Sequence, residues 1–120
     1  MSKVDNLNRV LRSLRDTQDV EGCALLSDDG LMMASALPQE SDEARVAGMA
    51  ASVASLGTRA AKELERGTVE QVMIRGPKGF AVMQNAPSNT LLLVLANKQA
   101  KLGLIFLEMR SAIDEIKKVL

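Results

Sequence analysis

The chain has 120 residues, 47% of them apolar, which suits one domain with a modest core and is too apolar for a disordered chain. Its 15 basic residues balance 15 acidic ones, which argues against bulk electrostatic binding to nucleic acid or anionic lipid. There is no histidine and one cysteine, so histidine-based triads, histidine metal ligands and multi-thiolate sites are excluded; no catalytic residue, metal or cofactor is expected.

The opening stretch, MSKVDNLNRVL, contains no run long enough for a signal peptide or a membrane span. With a lone Cys23 this predicts a soluble, cytoplasmic protein. A first helix is expected over about Ser2 to Asp16, with Val4, Leu7, Leu11 and Leu14 as its apolar stripe. CALLSDDGLMMAS reads as a hairpin. Its arms are Cys23 to Ser27 and Leu31 to Ala36, joined by a tight Asp29-Gly30 turn with positive φ at both residues. Pro38 ends the second strand, and Ser41 with Asp42 can cap a second helix running to Arg66, closed by Gly67.

Three more strands follow. Val69 to Arg75 alternates, setting Val72 and Ile74 against Gln71, Met73 and Arg75. GPKG (Gly76 to Gly79) lacks the ending of a phosphate-binding loop and reads as a turn before FAVMQ. TLLLVLAN is apolar on both faces and is therefore a central strand covered above and below. A last helix spans about Gln99 to Val119, with Leu102, Ile105, Phe106, Met109, Ile113 and Ile116 as its stripe. Gly103 inside it costs about 1 kcal/mol relative to alanine and suggests close packing there. The order is α-β-β-α-β-β-β-α, an α+β chain, and the short strand-to-strand links make the sheet antiparallel.

The stretch VAGMAASVASLG (Val46 to Gly57) in the second helix carries no charge. On a helical wheel Val46, Met49, Val53, Leu56, Ala60 and Leu64 share one face, which is expected to lie on the sheet. Ala44, Ala47, Ala51, Ser55 and Thr58 share a second, all of them small. A solvated face normally carries Lys and Glu, whereas small side chains let two helices approach closely. The expected neighbour is the same helix of a second copy, in a two-fold dimer. The expected dimer interface is Ala44, Ala47, Gly48, Ala51, Ser55 and Thr58, with Val69, Gln71, Met73 and Arg75 on a strand open to its twin. Arg45, Ser52, Arg59 and Glu63 form a third, polar stripe. Asp28 and Asp29 are explained by turn propensity, and Cys23 by a small core position.

These residues resemble the roadblock / dynein light chain family, and within it MglB-type regulators of Ras-like GTPases. The resemblance rests on the SDDGLMMAS hairpin, the small-residue helix, the LLLVLANKQAKLGLI join and the closing helix, and covers nearly the whole chain, 1–120, as a single domain. It implies a five-stranded antiparallel sheet with two helices on one face and the middle helix on the other. It also implies homodimers in which middle helices pair and edge strands join. The family's glycines at the first hairpin and in the final helix match Gly30 and Gly103. Bacterial members bind a small GTPase, some of them accelerating hydrolysis. For this chain the resemblance implies a non-enzymatic homodimeric binding module meeting a GTPase through Arg45, Ser52, Arg59 and Glu63. Reshaping of the partner's own active site is expected before an arginine finger from Arg45 or Arg59. The alternatives are a nucleotide-independent scaffold of the same fold and, third, a small-molecule sensor.

Overall fold

The structure, a computed structural model, describes residues 2–120. α1 (Lys3–Arg15) starts where the Ser2 hydroxyl accepts the Asp5 N–H at 3.1 Å, and Asp5 and Arg15 sit at the ends where the helix dipole favours them. Leu7, Leu11 and Leu14 are buried as expected, whereas Val4 is exposed, because nothing covers the first turn of the stripe.

The five strands are β1 (Val20–Ser27), β2 (Met32–Ala36), β3 (Val72–Gly76), β4 (Gly79–Ala86) and β5 (Thr90–Ala96). They form one antiparallel sheet in the order β2-β1-β5-β4-β3, so the TLLLVLA strand is central and β3 is an edge. The β1–β2 turn differs from the two-residue form expected. The Gly30 N–H donates to the Ser27 carbonyl at 3.0 Å, so Asp28 and Asp29 form the bend and Gly30 alone has positive φ (93°). Pro77 and Lys78 make the β3–β4 turn, as the GPKG reading expects. β3 starts at Val72, so Val69 and Gln71 precede it rather than lie in it.

α2 (Glu43–Glu63) is capped by Asp42, whose carboxylate accepts the Arg45 N–H at 3.2 Å. It ends three residues before the expected Arg66. Glu65 takes the left-handed position (φ 58°), and the Arg66 N–H donates to the Ala61 carbonyl at 2.7 Å, closing the last turn ahead of Gly67. α3 (Leu102–Val119) follows a turn in which the Asn97 side chain accepts the Gln99 N–H at 2.9 Å. That turn consumes residues 97–101, which is why α3 begins later than Gln99. Gly103 is exposed, and apart from its chain neighbours and its own helix backbone no atom lies within 4 Å of where a β-carbon would stand, so the close packing expected there is absent.

Alternation along the strands makes two cores. Cys23, Leu25, Val82, Leu92 and Val94 face α1 and α3, where they meet Leu7, Leu11, Ile105, Met109 and Ile116. Leu26, Met83, Leu91 and Leu93 face α2. The two outer helices therefore share one face of the sheet and α2 has the other.

Cys23 is fully buried, and its thiol donates to the Leu11 carbonyl at 3.1 Å. Burial pushes its pKa up to about 12, with the Arg15 charge pulling weakly the other way. A folded pKa above the unfolded value of 9.0 stabilises the fold below pH 9 and loses that contribution as pH rises towards 12. Chemical denaturation across this window should show wild-type stability falling faster than that of Cys23→Ala, by up to ~1.4 kcal/mol per pH unit. Parallel curves would contradict the assignment.

Candidate functional site

The packing of α2 reverses the face expected from the wheel. Ala47, Ala50, Ala51 and Ala54 are buried against Leu26, Met83, Leu91 and Leu93, so the small residues face the chain's own sheet. The tip of the first hairpin lies against them too: a β-carbon at Gly30 would stand 3.6 Å from the Gly48 Cα and 3.7 Å from the Ala51 Cβ. A β-carbon at Gly57 would meet the Val72 side chain at 2.8 Å, another sign of how near α2 lies to the sheet. Small side chains do permit close approach, but what they approach is β-sheet. Ala47 and Ala51 therefore cannot meet a twin helix directly, whereas Ala44, Gly48, Ser55 and Thr58 remain exposed.

Of the large side chains assigned to the sheet, Val46 and Val53 do pack against the core beneath α2, but the others point outward. Met49, Leu56 and Leu64 are 60%, 64% and 67% exposed, with Val46 and Val53 half-buried beside them. The spacing of 49, 53, 56, 60 and 64 makes one continuous strip along a helix. Gly57 lies on the same flank and touches Val72 of β3, so the strip runs beside the open sheet edge. On that edge Ile74, opposite Ala81 in the register, shares the α2 face of the sheet and is 50% exposed. Met73, 45% exposed, is on the other face. Unpaired strand edges and contiguous apolar surface are both features that mark association.

The polar stripe is exposed throughout: Arg45, Ser52, Arg59 and Glu63 all face solvent. Among the described residues neither Arg45 nor Arg59 takes part in an ion pair. Ser52 donates to the Gly48 carbonyl at 2.9 Å. Between this flank of α2 and the hairpin tips runs a shallow groove of mixed lining that brings Ser55 and Arg59 together with Asp28, Asn85 and Asn89. Ser52 borders its continuation beside Asp29. The hairpin contributions were not readable from the sequence as site residues, since Asp28 and Asn89 lie far from α2 in the chain. Only the strand register, which sets Ser27 against Thr90, brings the two tips to one end of the sheet.

A three-layer α+β module with a free edge strand and an apolar outer helix face is the class that fold and surface define. The chain belongs to the Roadblock/LC7 domain family, whose family model matches residues 7–96. The MJ0310 protein of Methanocaldococcus jannaschii is 38% identical over 111 residues, 92% of this chain and 96% of that relative. In structure the chain is similar to Myxococcus xanthus MglB, with a TM-score of 0.90 at 22% identity over 99% of this chain and 90% of that one. It is also similar to the Roadblock/LC7 domain from Streptomyces avermitilis, with a TM-score of 0.86 at 24% identity over 92% of this chain and 94% of that one. The element order and antiparallel sheet expected from the sequence are those of this fold. Among the described residues no helix is long and apolar enough to cross a membrane.

Proposed function

We propose that this chain is a single-domain, homodimeric binding module that regulates a small Ras-like GTPase. The observation that carries the reading is the outer face of α2, where an exposed apolar strip adjoins an unpaired polar stripe. In this proposal Met49, Val53, Leu56 and Leu64 pack on their twins, β3 pairs with its twin along its free edge, and Met73 and Ile74 flank that seam. Burying the strip offers about 25 cal/mol for each Å² of apolar surface removed from water, which an alanine face already covered by its own sheet cannot supply. With the apolar strip taken up by the twin, Arg45, Ser52, Arg59 and Glu63 are left to meet the GTPase, as is the groove beside Asp28. The fold match to MglB and the sequence resemblance to MglB-type regulators support a GTPase as the partner class.

The regulator works by differential affinity for the partner's nucleotide states, because a ligand shifts an equilibrium only by its preference between the two. The experiment is capture of GTPases from native lysate on immobilised protein, with GTP or GDP added, followed by hydrolysis assays with and without the protein. A GTPase retained in one nucleotide state, and lost from Arg59→Glu, is the expected result. Retention regardless of nucleotide would favour the scaffold alternative, and no GTPase in either state would remove the proposal.

A further inference from the structure

At one end of the sheet the β3–β4 turn meets the junction between β5 and α3. Gly79 presses on the backbone of Ala96 and Asn97, so the two segments are held together. Between them opens a cleft of about 650 Å³ lined by Arg75, Pro77, Phe80, Lys98 and Gln99. The Arg75 guanidinium stands 5.7 Å from the centre of the Phe80 ring, so an aromatic face rather than a carboxylate holds it. Lys78 is next to Gly79 in the turn and Lys101 is the N-cap of α3, three residues after Lys98; both lie near the cleft in the chain without lining it.

The charge here is one-sided. No acidic residue lines the cleft, and among the described residues none of Arg75, Lys78, Lys98 and Lys101 forms an ion pair. Asp19, at the neighbouring entry to β1, accepts a hydrogen bond from the Asn97 side chain at 3.1 Å and lies outside the cleft lining. The first turn of α3, which follows Lys98 and Gln99 in the chain, holds no acid, and its N-cap residue supplies no side-chain acceptor. The chain as a whole is neutral, so this concentration is local. Like charges around one recess raise each other's energy, and an anionic ligand relieves that as it binds.

We infer that this cleft docks an acidic peptide segment of a protein partner, with the Arg75 guanidinium as the two-pronged donor to a carboxylate and Lys98 as its neighbour. A nucleic-acid duplex engages more cations than these four, roughly 6–10 phosphate contacts being usual. A bilayer presents a plane, whereas Arg75 and Lys98 line a recess. Arg75 and Phe80 are on the α1 and α3 face of the sheet, so the cleft lies on the opposite face from α2.

The test is fluorescence anisotropy with a labelled peptide alternating glutamate and glycine, against its glutamine counterpart. In parallel, amide shifts would be followed in ¹⁵N-labelled protein, and phosphatidylserine vesicles and inorganic phosphate would serve as competing probes. The expected result is binding of the glutamate peptide alone, weakening with added salt, with shifts centred on Gly76, Phe80 and Gln99. Arg75→Glu and Lys98→Glu, both at exposed positions, should each weaken binding about tenfold while the protein stays folded by circular dichroism. Equal binding of the two peptides, unchanged affinity in both variants, shifts centred elsewhere, or capture by vesicles or phosphate in place of peptide would each overturn the inference.

Discussion

Replacing Ala47 with glutamate is expected to cost the fold about 4 kcal/mol and to lower Tm by well over ~10 °C. Ala47 is fully buried between α2 and the sheet, among Leu26, Met83 and Leu93. A carboxyl group there loses its water and finds only apolar neighbours. It must either stay protonated or push the helix away from the sheet. A domain of this size has only about 5–15 kcal/mol of stability to lose. Thermal unfolding followed by circular dichroism measures the effect. The contrasting variant is Leu56→Glu, on the outward side of the same helix, which should remain folded as an isolated chain. If Ala47→Glu were tolerated and Leu56→Glu unfolded the protein, the facing of α2 described here would be wrong.

The second large effect is expected at Gly79. Its φ of 133° is closed to L side chains, and a β-carbon there would overlap the Ala96 carbonyl oxygen. That oxygen belongs to the central strand, so it cannot rotate out of the way as a side chain would. Gly79→Ala should destabilise by about 3 kcal/mol or more, the backbone conformation and the collision both contributing. Gly76, across the same turn, has open space where its β-carbon would stand, and Gly76→Ala should stay within about 1 kcal/mol of wild type. Urea denaturation of the pair reports the difference directly. Similar midpoints for the two variants would contradict the close contact between the β3–β4 turn and the end of β5.

Much of the fold was legible because its signals are local. TLLLVLAN is apolar at consecutive positions, and only a strand covered on both sides fits that. It proved to be β5, between β1 and β4. Asp42 caps α2 as its side chain and position suggested. The end of α2 was harder, since Gly67 is the obvious left-handed residue and Glu65 takes that conformation first. The facing of α2 was not legible. A wheel shows that a helix has a small face and a large apolar face, but not which one is inside. The answer depends on the helix-to-sheet distance, which the hairpin tip at Gly30 and the contact at Gly57 help to fix, and both are long-range. The expectation that alanines mark close packing holds for Ala47 and Ala51, whose neighbour is the chain's own sheet, while Ala44 stays exposed.

The same reversal moves the proposed site. Arg45, Ser52, Arg59 and Glu63 keep their exposed places, but the apolar surface beside them is Met49, Leu56 and Leu64, which the sequence had assigned to the core. The groove residues Asp28, Asn85 and Asn89 join Arg59 only through strand register.

The most direct test is the mass in solution, measured by light scattering during size exclusion, of wild type and of a Leu56→Glu/Ile74→Lys variant. One chain has a mass of 12.9 kDa. The proposal expects twice that for wild type and a folded particle of the single-chain mass for the variant, because charges on the apolar strip and the β3 edge break both halves of the seam. A wild-type protein that runs as a single chain, or a variant that stays paired, would contradict it.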